Sequence, residues 1–315
     1  MSRSEPSPFH PDLRRPAAVL SVRGVGPRML ELRRRLDDAL QVALRRERRP
    51  GPVEAESLGA VSVRVHRPPE GTPTPFRALL WMHGGGYVVG SAADDDELCR
   101  IVAADLGVLV AAVEYRLAPA HPFPVPLEDC YDALVWLASH RDVDEHRIAV
   151  GGASAGGGLA TALALLARDR GDVTPVFQLL SYPMIDDRTV LRNDLDERHF
   201  RLWNSENNRF GWQSYLGMAP GTAAVPPLAA PARCADLAAL PPAWIGVGTI
   251  DLFYDEDLAY ANQLREAGVP CTVETVDGAF HGFDGACPRA PVTRRFRASQ
   301  IRALAGALGG AAGLS

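Results

Sequence analysis

The sequence predicts an α/β fold with a mainly parallel central sheet flanked by helices and a helical cap. Three observations carry this. From Phe76 to Leu308 short apolar runs alternate with helical patterns, as in successive βαβ units. One junction carries a serine in G-x-S-x-G spacing, Gly152, Ser154 and Gly156, between the apolar run Arg147-Ile148-Ala149-Val150 and the helical pattern Leu159 to Ala167. The stretch from Asp187 to about Gly221 interrupts the alternation with polar and aromatic residues and no strand pattern. Inside an α/β domain such an insertion is usually a lid or substrate-binding element.

The 315 residues are enough to bury a large core. A main α/β domain is expected over 51–186 and 222–315, with the cap formed by 1–50 and 187–221. Residues 1 to about 27 read as a loose arm. Met29 to about Arg46 reads as an amphipathic helix whose charged face mixes Arg33, Arg34 and Arg35 with Asp37 and Asp38. Pro50-Gly51-Pro52 breaks the chain.

Val61 to Pro68 alternates with period two and reads as an antiparallel edge strand, with His66 on its exposed side. Phe76 to Met82 reads as a central strand. A helix from Asp96 to Ala104, a strand from Val108 to Val113 and a helix from Glu128 to Ser139 lead to the serine junction. Pro175 to Leu180 and Pro242 to Gly248 read as later strands, with a helix from about Tyr254 to Ala267. Cys271 to Val276 is the last strand, Asp277 to Phe283 a loop, and about Pro291 to Leu308 the closing helix. The tail from Gly309 is expected to fray.

Composition excludes several classes. Apolar content of 47% and charged content of 23% are ordinary for a globular protein, and a net charge of −5 gives no basis for binding nucleic acid or an anionic membrane. No apolar run approaches the length of a membrane span. The five cysteines form no C-x-x-C pair, so neither a disulfide framework nor a zinc site is suggested. Reduced thiols and a cytoplasmic location are the simplest account. Met1 to His10 lacks the apolar segment of a signal peptide. A homodimer is left open.

A serine on a tight strand-to-helix turn presents its hydroxyl to the site, and the helix start directs free N–H groups toward it. Such a nucleophile needs a base and a carboxylate to orient that base. His281 is the best base, on a glycine-containing loop after the last strand. Asp251, directly after the preceding strand, is the chosen carboxylate. Asp255, Glu256, Asp257, Asp186 and Asp187 are the competitors. Upstream, His83-Gly84-Gly85-Gly86-Tyr87 follows a central strand directly. Three consecutive glycines let the backbone turn its N–H groups inward, so the loop suits an oxyanion. His83 is then an anchor of the loop and not the base.

These residues resemble the bacterial hormone-sensitive-lipase-like (family IV) esterases of the α/β-hydrolase superfamily. Besides the two glycine motifs, the resemblance rests on Gly90-Ser91, Tyr115-Arg116-Leu117-Ala118-Pro119, His121-Pro122-Phe123-Pro124 and Glu128-Asp129. It continues through Tyr182-Pro183, Asp251 with Asp255-Glu256, and His281-Gly282-Phe283. It implies the α/β-hydrolase fold and a carboxylesterase of serine-hydrolase type acting on small or short-chain acyl esters. Ser154 would be the nucleophile, His281 the base and Asp251 its partner. Gly84, Gly85, Gly86 and Ala155 would form the oxyanion hole. Tyr87, Tyr182, Trp203 and Phe210 would line the substrate pocket. No metal or other cofactor is implied, and the only partner is a small-molecule ester. A related amidase, lactonase or carbamate hydrolase is the alternative, and a catalytically silent ligand-binding module is a more distant one that the presence of His281 argues against. Two departures stand out: Ala153, where the family often has Asp, and Ala120, often Glu.

Overall fold

The computed structural model describes residues 7–20, 30 and 53–309. Eight strands form one sheet: β1 (Glu54–Ser57), β2 (Ser62–His66), β3 (Phe76–Met82), β4 (Leu109–Glu114), β5 (Val143–Ala153), β6 (Phe177–Ser181), β7 (Ala243–Ile250) and β8 (Cys271–Phe280). Their spatial order is β1-β2-β4-β3-β5-β6-β7-β8. β1 and β2 run antiparallel to their neighbours, and every pair from β4/β3 onward is parallel. The helices of the described residues are α1 (Arg14–Val19), which precedes the strands, and α2 (Asp96–Leu106), α3 (Val125–Ser139), α4 (Ala155–Arg170), α5 (Ser205–Leu216), α6 (Tyr254–Glu266), α7 (Phe283–Ala286) and α8 (Pro291–Ala307).

β3 shows why the sheet must be covered on both faces. Ala78, Leu80 and Met82 enter one apolar cluster, while Leu79 and Trp81 enter the other. Alternate side chains of a strand point to opposite faces, so a continuously apolar run needs helices on each side. α4 is the most enclosed helix, with every residue from Ala155 to Ala167 buried. It packs on β5, β6 and α3, which is why its sequence is small and apolar around the whole circumference.

Four expectations change. β1 lies outside β2, so β2 pairs on both sides and the edge belongs to the short, polar Glu54–Ser57. His66 is buried as well, 4% exposed, with its ring 3.3 Å from Asp96 at the start of α2. Asp277-Gly278 lies within β8, which runs on to Phe280 and so brings the site loop closer to the sheet. Lastly, residues 7–20 of the N-terminal arm are docked. Leu13 and Ala17 are fully buried, the His10 N–H donates to Gly278 O at 2.8 Å, and the Val292 N–H donates to Asp12 at 2.9 Å. Apolar residues spaced by four were hidden there among prolines and arginines. The expected Met29–Arg46 helix, apart from Leu30, lies outside the described residues, as does the tail beyond Gly309.

The expected insertion does lack strands. Short 3-10 turns at Asp187–Leu191 and Glu197–His199 lead into α5, whose Asn204 side chain caps its start and whose end is closed by Gly217 in the left-handed conformation.

Candidate active site

Ser154 sits where β5 turns into α4, with φ 55° and ψ −121°. A non-glycine residue there is strained, and the turn holds it by three backbone bonds. Its N–H donates to Ser181 O at 2.9 Å, and its carbonyl accepts from Gly158 at 3.0 Å and Met184 at 2.9 Å. The turn is this tight because β3 passes close by. A Cβ at Gly156 would lie 2.1 Å from Met82 O and 2.4 Å from His83 O. The helix can begin at Ala155 only without a side chain at 156.

His281, one residue beyond β8, directs Nε2 to Ser154 Oγ at 3.0 Å. Its Nδ1 lies 2.9 Å and 3.1 Å from the two oxygens of Asp251, one residue beyond β7. A carboxylate only accepts, so Nδ1 carries the proton and Nε2 is left to accept the serine proton. Asp251 is itself fixed by an Asx-type turn in which the Phe253 N–H donates to Oδ1 at 2.9 Å. All three side chains are buried: Ser154, Asp251 and His281 are 5%, 5% and 7% exposed.

The competing acids are elsewhere. Asp255 is exposed and pairs with Arg192 at 2.9 Å. Asp186 pairs with Arg188 at 2.8 Å, and Asp187 with Arg233 at 2.5 Å. Glu256 accepts the N–H groups of Ile185 at 2.9 Å and Asp186 at 3.1 Å, and the Thr189 hydroxyl. Asp257 is fully buried, and neither of its oxygens has a partner among the described residues. Burial pushes both of these carboxyls well above the usual range. Neither carboxyl hydrogen-bonds to His281, whose Nδ1 is engaged by Asp251.

The glycine loop lies directly against this line. A Cβ at Gly84 would be 3.2 Å from Ala153 O and 3.5 Å from Ser154 Cβ. Gly85 and Gly86 have φ 123° and 59°, which only glycine adopts freely. Gly85 O accepts from Val88 and Val89 at 3.1 Å each, closing the loop on itself. The N–H groups of Gly85, Gly86 and Ala155 make no hydrogen bond among the described residues. His83 anchors the loop from behind. Its ring stacks on Tyr115 at 4.2 Å, its Nδ1 lies 2.7 Å from Gly84 O, and its carbonyl accepts from the Tyr115 hydroxyl at 2.8 Å. Burial lowers the His83 pKa to about 4, so it stays neutral.

The four residues expected to line a pocket fall in four different settings. Trp203 lies on the loop, its ring filling the space where Gly86 would carry a Cβ, and its centroid is 6.5 Å from His281. Tyr182, at φ 38°, meets the His281 ring edge to face at 4.9 Å and donates to Asp284 at 2.6 Å. Tyr87 is behind the loop, stacked on Tyr215 at 4.0 Å and donating to Met184 O at 2.9 Å. Phe210 is half-buried against the larger core cluster. Two contacts escaped the sequence reading: Phe253, edge to face on His281 at 5.1 Å, and Asp284, which holds Tyr182. Phe253 follows Asp251 by two residues, the spacing of an Asx turn, and that was its one local signal. Asp284 had none.

Neither departure from the family leaves a charge stranded. Ala153 ends β5, and Ala120 is exposed, while Arg116 finds a bidentate partner in Asp129, with one contact of 2.6 Å. Among the described residues no group of three or more His, Cys, Asp or Glu could hold a metal ion, the five cysteines are unpaired, and no helix is long and apolar enough to cross a membrane.

A family model described as alpha/beta hydrolase fold matches residues 79–285, about two thirds of the chain. The chain is 38% identical over 244 residues to the carboxylic ester hydrolase LipN of Mycobacterium tuberculosis, covering 74% of this chain but 62% of that relative. It is 36% identical over 228 residues to the ethyl acetate hydrolase of Pseudomonas putida, covering 70% of each. The solved structure of a bacterial heroin esterase superposes with a TM-score of 0.87 at 36% identity, covering 96% of this chain and 98% of that one. With its strand order, its serine turn and these relatives, the chain belongs to the α/β-hydrolase fold family, within the hormone-sensitive-lipase-like branch that its motifs resemble.

Proposed function

We propose that this protein hydrolyses carboxylic esters through an acyl-enzyme, with Ser154 as nucleophile, His281 as general base and Asp251 as the carboxylate that orients it. The observation that carries the reading is the hydrogen-bonded line from Asp251 through His281 to a serine held at positive φ. Ser154 Oγ attacks the ester carbonyl as His281 Nε2 takes its proton. Asp251 keeps the other imidazole nitrogen protonated and stabilises the imidazolium. The oxyanion is received by the N–H groups of Gly85, Gly86 and Ala155, with Gly84 shaping the loop. Each donor lowers the barrier by about 2.7–4 kcal/mol in comparable sites. The alcohol leaves with the proton from His281, and water then attacks the acyl-enzyme by the same route.

A small or short acyl group suits a site whose reacting groups are nearly enclosed and whose loop is roofed by Trp203. The similar protein named ethyl acetate hydrolase, by its name, acts on a two-carbon acyl ester, in keeping with this choice. We assign the cap to 1–50 and 187–221. Arg201 supports this pairing where it is described, donating from Nε to Ala17 O at 2.7 Å. The test is a chain-length series of p-nitrophenyl esters with a Ser154→Ala control. Activity is expected to peak at short acyl groups and to fall by about 10³-fold or more in the variant. A folded Ser154→Ala protein with near-normal turnover would overturn the assignment.

A further inference from the structure

The Tyr182 hydroxyl and the Asp284 carboxylate form a buried pair beside His281 that the mechanism leaves unused. Tyr182 follows β6 directly and shares with Ser154 a positive φ, here 38°. Strain of this kind persists only where the surroundings over-determine it, and at Tyr182 they hold both ends of the residue. Its N–H donates to Gly246 O on β7 at 2.7 Å, and its hydroxyl donates to Asp284 at 2.6 Å. Burial, with Asp284 beside it, keeps the phenol well above its ordinary pKa range, so it stays protonated and donates.

The ring spans one short turn. His281 and Asp284 are joined through Gly282 at φ 67°, and the Ala286 N–H donates to Gly282 O at 3.0 Å, which closes α7. Arg297 ties this turn to α8, donating from Nη2 to the Asp284 carbonyl at 3.3 Å. Tyr182 meets the imidazole edge to face at the first residue of the turn, 4.9 Å between centroids, and reaches the carboxylate at the fourth. Asp251 grips the imidazole at one corner, where Nδ1 lies 2.9 Å and 3.1 Å from its two oxygens. Elsewhere the imidazole packs on rings, Tyr182 and, at 5.1 Å, Phe253. Of these two rings, Tyr182 is the one with a polar handle to fix where it stands.

We infer that Asp284 is a positioning residue for His281 and acts through Tyr182: the carboxylate pins the phenol, and the pinned ring keeps the imidazole in line between Asp251 and Ser154. Tyr182 is then a wall of the base, not of the substrate pocket. The imidazole takes a proton from Ser154 and returns it to the leaving group, so its ring has to hold its place in both charge states. A displacement of about 1 Å at such a centre costs on the order of 10²-fold in rate. Removing the pin while leaving the ring should cost less, about tenfold. The inference rests on the ester-hydrolase reading above.

The test measures kcat and KM for p-nitrophenyl acetate, with the folded fraction of each protein taken from its thermal melt. Tyr182→Phe keeps the ring and removes the bond. It is expected to lower kcat about tenfold with KM within about twofold, since position of the base and not substrate binding is lost. Asp284→Ala should do the same. Asp284→Asn, whose amide oxygen still accepts from the phenol, should stay within about threefold of the wild type. The double variant Tyr182→Phe/Asp284→Ala should be no slower than the slower single variant, because both changes remove one pin. A folded Tyr182→Phe protein with the wild-type kcat overturns the inference. So does a double variant whose loss is the product of the single losses, or an Asp284→Asn protein slowed tenfold, since Asp284 would then act by another route. Lower thermal stability with an unchanged kcat per folded protein gives the pair to the fold and overturns it too. If Asp284→Ala does not fold, Tyr182→Phe and Asp284→Asn decide by the same limits. A wild type that does not turn over the ester defeats the ester-hydrolase reading instead, and this inference with it.

Discussion

The serine turn and the Trp203–α5 roof face the same glycine loop and are built in opposite ways. At the turn nearly every backbone polar group is spoken for, and strain at Ser154 is held by bonds to β6 and to the segment after it. Its glycines answer to backbone atoms of β3. At the roof the contacts are aromatic rings against backbone, and buried side-chain donors stand without partners among the described residues. A reacting centre needs atoms held in one place, which strands and helix starts provide.

If that contrast holds, damage on the turn side should be large and indifferent to substrate, and damage on the roof side smaller. The largest effect is expected for Asp251→Asn. With the imidazole free to take the wrong tautomer, kcat should fall by about 10⁴-fold in a folded protein. Asp255→Asn, at an exposed ion pair, should stay within about twofold. An active Asp251→Asn enzyme would move the orienting role to another acid.

Gly156→Ala comes next. The added methyl meets the carbonyl oxygens of Met82 and His83, so β3 or α4 must shift, and thermal unfolding should show a loss of about 3 kcal/mol or more. Gly171→Ala is the control. It also has positive φ but open space around it, and should lose about 1 kcal/mol.

Gly86→Ala probes the seam between the two regions. The methyl collides with the Trp203 ring, so the loop N–H groups should swing off target and kcat should fall by about 10²-fold. Combining it with Trp203→Ala should recover part of that loss, because the obstacle is a side chain. No recovery would mean that the φ of 59° alone sets the loop.

The last effect depends on pH and concerns His83, an anchor on the turn side. Its pKa is lowered by burial from 6.5 to about 4, so the unfolded chain binds a proton more readily than the folded one in that interval. The stability it protects is present in full above about pH 6.5 and is lost as the pH falls toward 4, at a slope of up to about 1.4 kcal/mol per pH unit. Denaturant titrations of wild type and His83→Gln at several pH values should show the wild type losing stability relative to the variant only in that window. Equal slopes would mean that the ring is solvated.

Much of this site was legible in the chain because it is local. Gly152, Ser154 and Gly156 satisfy a turn whose demands lie within five residues, and Gly85 and Gly86 supply positive φ where no other residue does so cheaply. Asp251 and His281 could be singled out because each directly follows a strand at the sheet edge where the serine turn emerges. β3, β4 and β6 were readable from continuous apolar runs, which only a sheet covered on both faces requires. The exceptions share one cause. β1 is four polar residues with no pattern of its own, and it exists because β2 offers a free edge. His66 is buried because the helix that begins at Asp96 packs over it. Leu13 and Ala17 look like part of a loose arm until Phe280 and α8 provide a surface for them.

Read alone, then, the chain specifies the fold class, the serine turn, the glycine loop and the order Ser154, Asp251, His281, since each depends on backbone geometry over a few residues or on strand order. Tertiary packing decides which carboxylate faces the imidazole and which carboxylates are buried out of reach. It also decides that Trp203 lies on Gly86 and that Tyr182 leans on His281 under the hold of Asp284. Those relations join residues dozens to a hundred positions apart, and no local preference encodes them. They arise only when helices and loops from separate parts of the chain are pressed against the same edge of the sheet.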